Sequence, residues 1–292
     1  MEKYSQRSLN ATSSKPLFGK KFRNKVGITV SYTIILLFAA IIVSPLIWIL
    51  LTSLKTRVQI YQIPPVWFFT PTLENYAAIT AKYPFHEYFL NSTIIGLVTT
   101  FISLIVGSMA AYSIARFNTG GDTLRLWVLN SHTMPAVALL IPFFMLANTF
   151  RLRDTFFMVI ITHLSFLLPF TIWMLIGFFE GIDKDMEEAA IVDGATRFQA
   201  FWRITLPLAA PGLAATGIVG FLLSWNEFIF AFVLSGINTR TLPVAISAFL
   251  TQRGDLMGEL SAAAMVMIIP VVILSVLFRN SLVKGLSLGS IK

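Results

Sequence analysis

At 292 residues, with 56% hydrophobic and 12% charged side chains and a mean hydropathy of +0.76, this chain cannot fold as a soluble globular protein. A formal net charge of +8 would suit nucleic acid, but the basic residues flank apolar runs and no basic patch interleaved with aromatics occurs, so nucleic acid is excluded as a partner. With no cysteine, disulfides and thiolate chemistry are excluded as well.

Residues 1–25 are polar and Ser/Asn-rich and are expected to form a disordered tail. They lack a short apolar core with a small-residue cleavage site, so Val26–Leu54 reads as an uncleaved anchor and first span. A loop at 55–88 follows, then a core at 89–278 and a short tail at 279–292. Within the core, runs long enough to cross the hydrocarbon layer are Phe89–Ala115, Leu126–Phe150, Phe156–Phe179, Leu208–Leu234 and Leu260–Phe278. The expected fold class is therefore an all-α integral membrane protein with six transmembrane helices.

Orientation follows from Lys and Arg. Seven of the 22 (Lys55, Arg57, Lys82, Arg151, Arg153, Arg240, Arg253) fall on one side of the spans and the other 15 on the opposite side, with both termini and the loop at 180–211. The positive-inside tendency places that second side in the cytoplasm and 55–88 outside. No period of self-similarity suggests an inverted repeat. Pro45, Pro135, Pro142, Pro169 and Pro270 recur inside the spans, where each removes a backbone donor and bends its helix.

The most informative stretch runs from Glu180 to Pro211. Asp185 with Glu188, and Thr196 with Gln199, offer two helix starts, the second as a capping box. Asp193-Gly194 between them supplies a left-handed turn. The expected helices are Asp185–Val192 and Thr196–Thr205, the latter amphipathic with Phe198, Phe201, Trp202 and Thr205 on one face. Pro207 and Pro211 are expected to stop it before the fifth span.

Enzyme chemistry is not offered by the sequence. No Gly-x-x-x-x-Gly-Lys-Ser/Thr stretch exists to cradle phosphates. His86, His132 and His163 are far apart without companion ligands, so no metal site is expected and packing roles are the better reading. No Ser-His-Asp or paired-carboxylate arrangement stands out along the chain. One acid, Glu227, lies within a span, roughly 24 Å along the fifth helix by a rise of about 1.5 Å per residue. An intramembrane carboxylate is by default a functional candidate. With Ser224, Trp225 and Asn226 it offers groups of the kind that bind a polyol, although pairing with a neighbouring subunit or the outer interface explains it equally well.

Between the fifth and sixth spans, Ser235–Glu259 passes from an apolar segment, Leu242-Pro243-Val244-Ala245-Ile246, to a polar, Gly-marked tip. Loops of this length in compact proteins are usually functional or disordered.

These features together resemble the membrane subunits of binding-protein-dependent ABC importers. Glu188-Ala189-Ala190, Asp193-Gly194-Ala195 and Ile204-Thr205-Leu206-Pro207, with Pro211 behind, match that family's EAA loop. Leu73-Glu74-Asn75-Tyr76, Asn91-Ser92, Trp225-Asn226-Glu227-Phe228 and Gly285-Leu286-Ser287-Leu288-Gly289 narrow the resemblance to the carbohydrate-uptake branch, in its maltose-type second subunit. The resemblance implies the type I ABC importer transmembrane fold in a bacterial inner membrane. It also implies a second homologous membrane subunit, two copies of a cytoplasmic ATPase and an extracytoplasmic solute-binding protein as partners. By the same resemblance this chain binds no cofactor, while ATP and Mg belong to the partner ATPase. Coupling residues would be Glu187, Glu188, Ala189, Ala190, Asp193, Gly194, Ala195, Arg197 and Pro207, with Glu188 or Glu187 taking a basic partner residue. The solute pathway would involve Ser224, Trp225, Asn226 and Glu227. Gln252, Arg253, Gly254, Asp255, Leu256, Met257 and Gly258 would enter the binding protein, and the C-terminal residues would reach between the ATPases. By the same resemblance the solute would be a sugar or sugar-like compound. A glycerol phosphate is the alternative within the class, and an ion-coupled secondary transporter the alternative outside it.

Overall fold

The structure, a computed structural model, describes residues 20–249 and 256–279, with side chains from residue 27 onward. Among the described residues every regular element is helical. In chain order these are α1 (Lys20–Ser53), α2 (Arg57–Tyr61), α3 (Glu74–Lys82), α4 (Phe85–Phe117), α5 (Gly121–Thr133), α6 (Ala136–Thr149), α7 (Phe156–Glu180), α8 (Asp185–Val192) and α9 (Arg197–Ala200). A π-helical turn (Phe201–Thr205) leads into α10 (Leu206–Leu208), and α11 (Ala210–Trp225), α12 (Ile229–Leu234), α13 (Leu242–Ser247) and α14 (Met257–Leu277) complete the order. The chain divides into two compact units, one ending at Ile49 and the other beginning at Leu50.

Four helices are long and apolar enough to cross a membrane unbroken: Gly27–Ser53 within α1, α4, α7 and α14. The first of these is exposed along its apolar length, with Ile34, Phe38 and Ile41 all open. Two further spans exist only as bent pairs, α5 with α6 at 85° and Arg197–Leu208 with α11 at 73°. The sequence reading makes each one continuous span, with bends expected at Pro135 and Pro142 but no break. Leu126–Phe150 breaks at Pro135, because proline pushes the residue before it out of the helical region, and Met134 accordingly has ψ 128°. Pro45, Pro142, Pro169 and Pro270 lie inside helices instead. Leu208–Leu234 is broken twice, at Ala209 and across residues 226–228.

The break at Ala209 falls between Pro207 and Pro211, at the end of the amphipathic segment. Pro211 stands in the first turn of α11, where a missing N–H goes unused, whereas Pro207 follows directly on the π turn. Pro207 has no N–H to give to the Arg203 carbonyl, and the turn before it widens: the Leu206 N–H reaches back to the Phe201 carbonyl.

α4, α7 and α11 form the centre of the second unit. Lipid is as apolar as leucine, so helices in a membrane hold together by close packing rather than by escape from water. At Gly212 the approach is tight enough to require glycine, since an added Cβ would lie 2.4 Å from the Phe178 ring. Three apolar clusters follow from this packing. One joins α3, α4, α11 and α14 around Ile79, Phe85 and Trp225. A second joins α4, α7 and the π turn around Tyr112, Phe179 and Phe201. The third joins α6, α7 and α12 around Ala147, Met158 and Phe230.

Candidate functional site

The hairpin formed by α8 and α9 is built locally. The Asp183 carboxylate accepts from the Asp185 N–H at 3.1 Å, so Asp183, and not Asp185, satisfies the first turn of α8. Asp185, Glu187 and Glu188 lie in that first turn, where negative charge suits the helix dipole. At the other end the Gly194 N–H donates to Ile191 O and the Ala195 N–H to Ala190 O, both at 3.0 Å. This is the Schellman pair of bonds, and it needs the left-handed backbone that Gly194 supplies at φ 93°. The Thr196–Gln199 capping box is present in both directions, with bonds of 2.9 and 3.3 Å.

The two adjacent glutamates face opposite ways. Glu188 is exposed, together with Ala189, Asp193, Gly194, Arg197 and Pro207, while Ala190 and Ala195 are half-buried. Met186, Ile191, Val192, Phe198 and Trp202 add exposed apolar surface to the same hairpin. Phe198 and Trp202 are therefore open, and Phe201 and Thr205, expected on the same face, are turned inward and buried. Glu187 is buried and takes a basic partner from its own chain: Arg116 Nε at 3.2 Å. It also accepts from the Tyr112 and Thr205 hydroxyls. Arg197 stacks over the Phe117 ring at 5.0 Å.

In the fifth span, α11 ends at Trp225 and α12 begins at Ile229. Glu227 caps the second piece: its carboxylate accepts from the Phe230 N–H at 2.8 Å and the Ala231 N–H at 3.0 Å. The same carboxylate lies 3.2 Å from His163 Nε2, and His163 Nδ1 lies 2.7 Å from the Ser224 hydroxyl. Ser224, His163 and Glu227 thus form a buried polar chain between α7 and the break, which corrects the reading of His163 as a packing residue and of the chain as lacking a Ser-His-acid grouping. All three are largely closed to solvent, and the Glu227 oxygens are already engaged by the backbone, so the grouping acts as a clasp. Trp225 is buried, donating through Nε1 to Met267 O at 3.2 Å. Asn226 alone of the four pathway candidates is exposed.

Another clasp holds the loop after α12. Asp154, in the turn between α6 and α7, accepts from the Gly236, Asn238 and Thr239 N–H groups at 2.8, 3.1 and 2.9 Å, and from the Asn238 amide and Thr239 hydroxyl. Burial raises its pKa, and the bonds from Asn238, Thr239 and Gly236 outweigh that, leaving the carboxyl below its ordinary value. From α4, Asn91 Nδ2 donates to Asn238 O and Arg240 O, and the Ser92 hydroxyl accepts from the Leu242 N–H. Asn75 donates to Ser53 O and Lys55 O.

Of the expected binding-protein contact, Gln252, Arg253, Gly254 and Asp255 lie outside the described residues, as does the Gly285–Lys292 tail. Met257 is exposed, Leu256 half-buried, and Gly258 packs on Asn75. Among the described residues no group of three His, Asp or Glu side chains is arranged to hold a metal ion.

Residues 103–287, more than half of the chain, match the family described as binding-protein-dependent transport system inner membrane component. The chain belongs to this family of ABC importer membrane subunits. Its relatives include the sulfoquinovosyl glycerol transport system permease protein SmoH of Agrobacterium fabrum, 37% identical over 251 residues that cover 85% of this chain and 88% of SmoH. The trehalose transport system permease protein SugB of Mycobacterium tuberculosis is 36% identical over 254 residues, covering 85% and 92%. Among solved structures, a chain of a bacterial ABC transporter involved in the import of the acidic polysaccharide alginate superposes with a TM-score of 0.72 at 22% identity, covering 91% of this chain and 99% of that one. This likeness shows the fold, that of the type I importer membrane subunit. As a member of the family the chain is an inner membrane transport component.

Proposed function

We propose that this permease subunit passes a sugar or sugar-like solute inward, with the α8–α9 hairpin gripping a separate ATPase that supplies the energy. One observation carries the coupling assignment: Glu188 is exposed on a hairpin that also exposes Met186, Ile191, Val192, Phe198 and Trp202. Soluble flank residues rarely gather such a patch without a partner to cover it. The solute class is supported by relatives named for trehalose, diacetylchitobiose, trehalose/maltose and sulfoquinovosyl glycerol transport.

In this reading a second homologous membrane subunit completes the pathway, two ATPase copies bind ATP and Mg on the cytoplasmic side, and an extracytoplasmic binding protein delivers the solute. Both termini and the hairpin are cytoplasmic by the positive-inside tendency. The Gln252–Gly258 tip reaches toward the binding protein. Closure of the ATPase pair carries the docked hairpins together, and the spans attached to them tilt. Asn226 is the pathway group we favour for solute contact, since it alone of the four is exposed.

The test is co-purification of the ATPase from membranes carrying this chain. Wild type should retain the ATPase and Glu188→Lys should lose it, with insertion of the permease unchanged. Retention of the ATPase by Glu188→Lys at the wild-type level would remove the docking assignment.

A further inference from the structure

The cytoplasm-facing network around Glu187 has a geometry that docking does not require. Its carboxylate is the point at which three elements meet. Oε1 accepts from the Tyr112 hydroxyl of α4, while Oε2 accepts from Thr205 Oγ1 of the π turn at 3.1 Å and faces Arg116 Nε of α4 at 3.2 Å. The Arg116 guanidinium continues through Nη2 to the Ile182 carbonyl at 3.0 Å, on the strap that enters α8. Both charged side chains are closed to solvent, at 4% exposure for Arg116 and 9% for Glu187.

A buried ion pair is a poor device for stability alone, because desolvation consumes much of the attraction and a well-packed apolar group would hold the elements as firmly. What the pair adds is position. Apolar side chains permit neighbouring helices to slide, whereas a carboxylate held by donors from two other elements fixes α8 to both at once. Those elements are the inner end of a long span and the turn that opens into α11. Aromatic contacts lie along the same joint: Phe201 of the π turn packs on Tyr112 at 4.7 Å between ring centres.

We infer that Glu187, held by Arg116, Tyr112 and Thr205, is the positioning residue through which displacement of α8 reaches α4 and the fifth span. The inference rests on the coupling reading above and gives the two glutamates separate roles, with Glu188 facing the ATPase and Glu187 facing the spans. The joint moves as one body.

The natural chain has no cysteine, so spin labels can be placed on Cys substitutions alone within it. Asp185 on α8 and Ile94 on α4 are both exposed and suit that purpose. In the assembled transporter, the distance between the two labels is measured before and after addition of ATP with vanadate. The wild-type joint should keep that distance constant, and Glu187→Gln should let it shift by about 2 Å or more, or broaden comparably. Tyr112→Phe, which removes a single hydroxyl, should give a smaller shift in the same direction and guards against misfolding of the first variant. Co-purification of the ATPase should be unchanged in both variants. A wild-type distance that itself changes with ATP and vanadate would overturn the rigid joint, as would Glu187→Gln and Tyr112→Phe variants that both behave as wild type. Loss of the ATPase from Glu187→Gln would overturn the separation of roles. Failure of the wild-type chain to hold any ATPase would instead remove the coupling reading itself.

Discussion

The Glu227 carboxylate lies 3.2 Å from His163 Nε2, so the acid at the break of the fifth span is answered by the fourth span of the same chain. Oε2 serves both capping and pairing, accepting from the Ala231 N–H and facing His163, while Oε1 accepts from the Phe230 N–H. Glu227→Ala removes the acceptors for the Phe230 and Ala231 N–H groups and leaves His163 buried without its acid. Loss of such a cap and an unsatisfied buried group are each worth about 1–2 kcal/mol. The thermal midpoint of the purified subunit should fall clearly in Glu227→Ala and less in Glu227→Gln, which keeps an acceptor oxygen. An unchanged midpoint in Glu227→Ala would return this residue to the solute pathway.

Asp154 makes the outer clasp pH-dependent. Its folded pKa lies below the ordinary carboxylate value of about 3.9, so the ionised form is favoured by folding. The clasp therefore contributes fully above that value and is lost as pH falls through the lower, folded pKa. Asp154→Asn should cost about 1–2 kcal/mol at neutral pH, since charge-assisted hydrogen bonds are weakened and two of the donors lose their acceptor. Hydrogen exchange at neutral pH should speed up across residues 235–241 and leave α7 unaffected. Equal exchange in both proteins would mean that Asn91 and Ser92 hold the loop unaided.

Much of this was legible from residue order because the signals are local. Apolar runs, the Thr196–Gln199 box and the Gly194 turn each depend on neighbours within a few residues. The hidden parts depend on residues distant in sequence. His163 is 61 residues from Ser224, and Arg116 is 71 from Glu187, so neither pairing leaves a spacing pattern to read. The full break at Pro135 goes beyond the bend expected there: the prolines inside α1, α6, α7 and α14 are accommodated, and only packing separates those that bend a span from those that break it. The direction of Glu187 was likewise undetermined, because on so short a helix two adjacent acids offer no period.

Gly194 separates conformation from crowding. Nothing lies within 4 Å of where its Cβ would stand, so a substitution there is opposed by the backbone and not by a neighbour. Gly194→Val should cost on the order of 1–2 kcal/mol at the turn, whereas Gly194→Asn, a residue that tolerates the left-handed region, should be milder. ATPase co-purification should fall in the valine variant and be largely preserved in the asparagine variant. Equal behaviour of the two would place the requirement at the partner surface and not in the turn.

Gly212 presents the opposite case. Its φ is ordinary, and the obstacle is the Phe178 ring, whose Cγ would lie 2.4 Å from an added Cβ. The ring belongs to α7 and the glycine to the first turn of α11, beside the bend at Ala209, so any accommodation must push the fifth span away from the fourth. Gly212→Ala should destabilise by about 1–3 kcal/mol, the usual range for overpacking. Phe178→Leu in the same chain should recover a good part of that loss by removing the ring, although alone it would leave a gap and destabilise in its own right. The thermal midpoints of the two single variants and the double variant form a cycle, and a coupling of about 0.5 kcal/mol or more in the favourable direction is expected for residues in contact. Additive midpoints would show that the bend relieves the clash without moving Phe178, and that the close approach of α7 and α11 does not depend on the missing side chain.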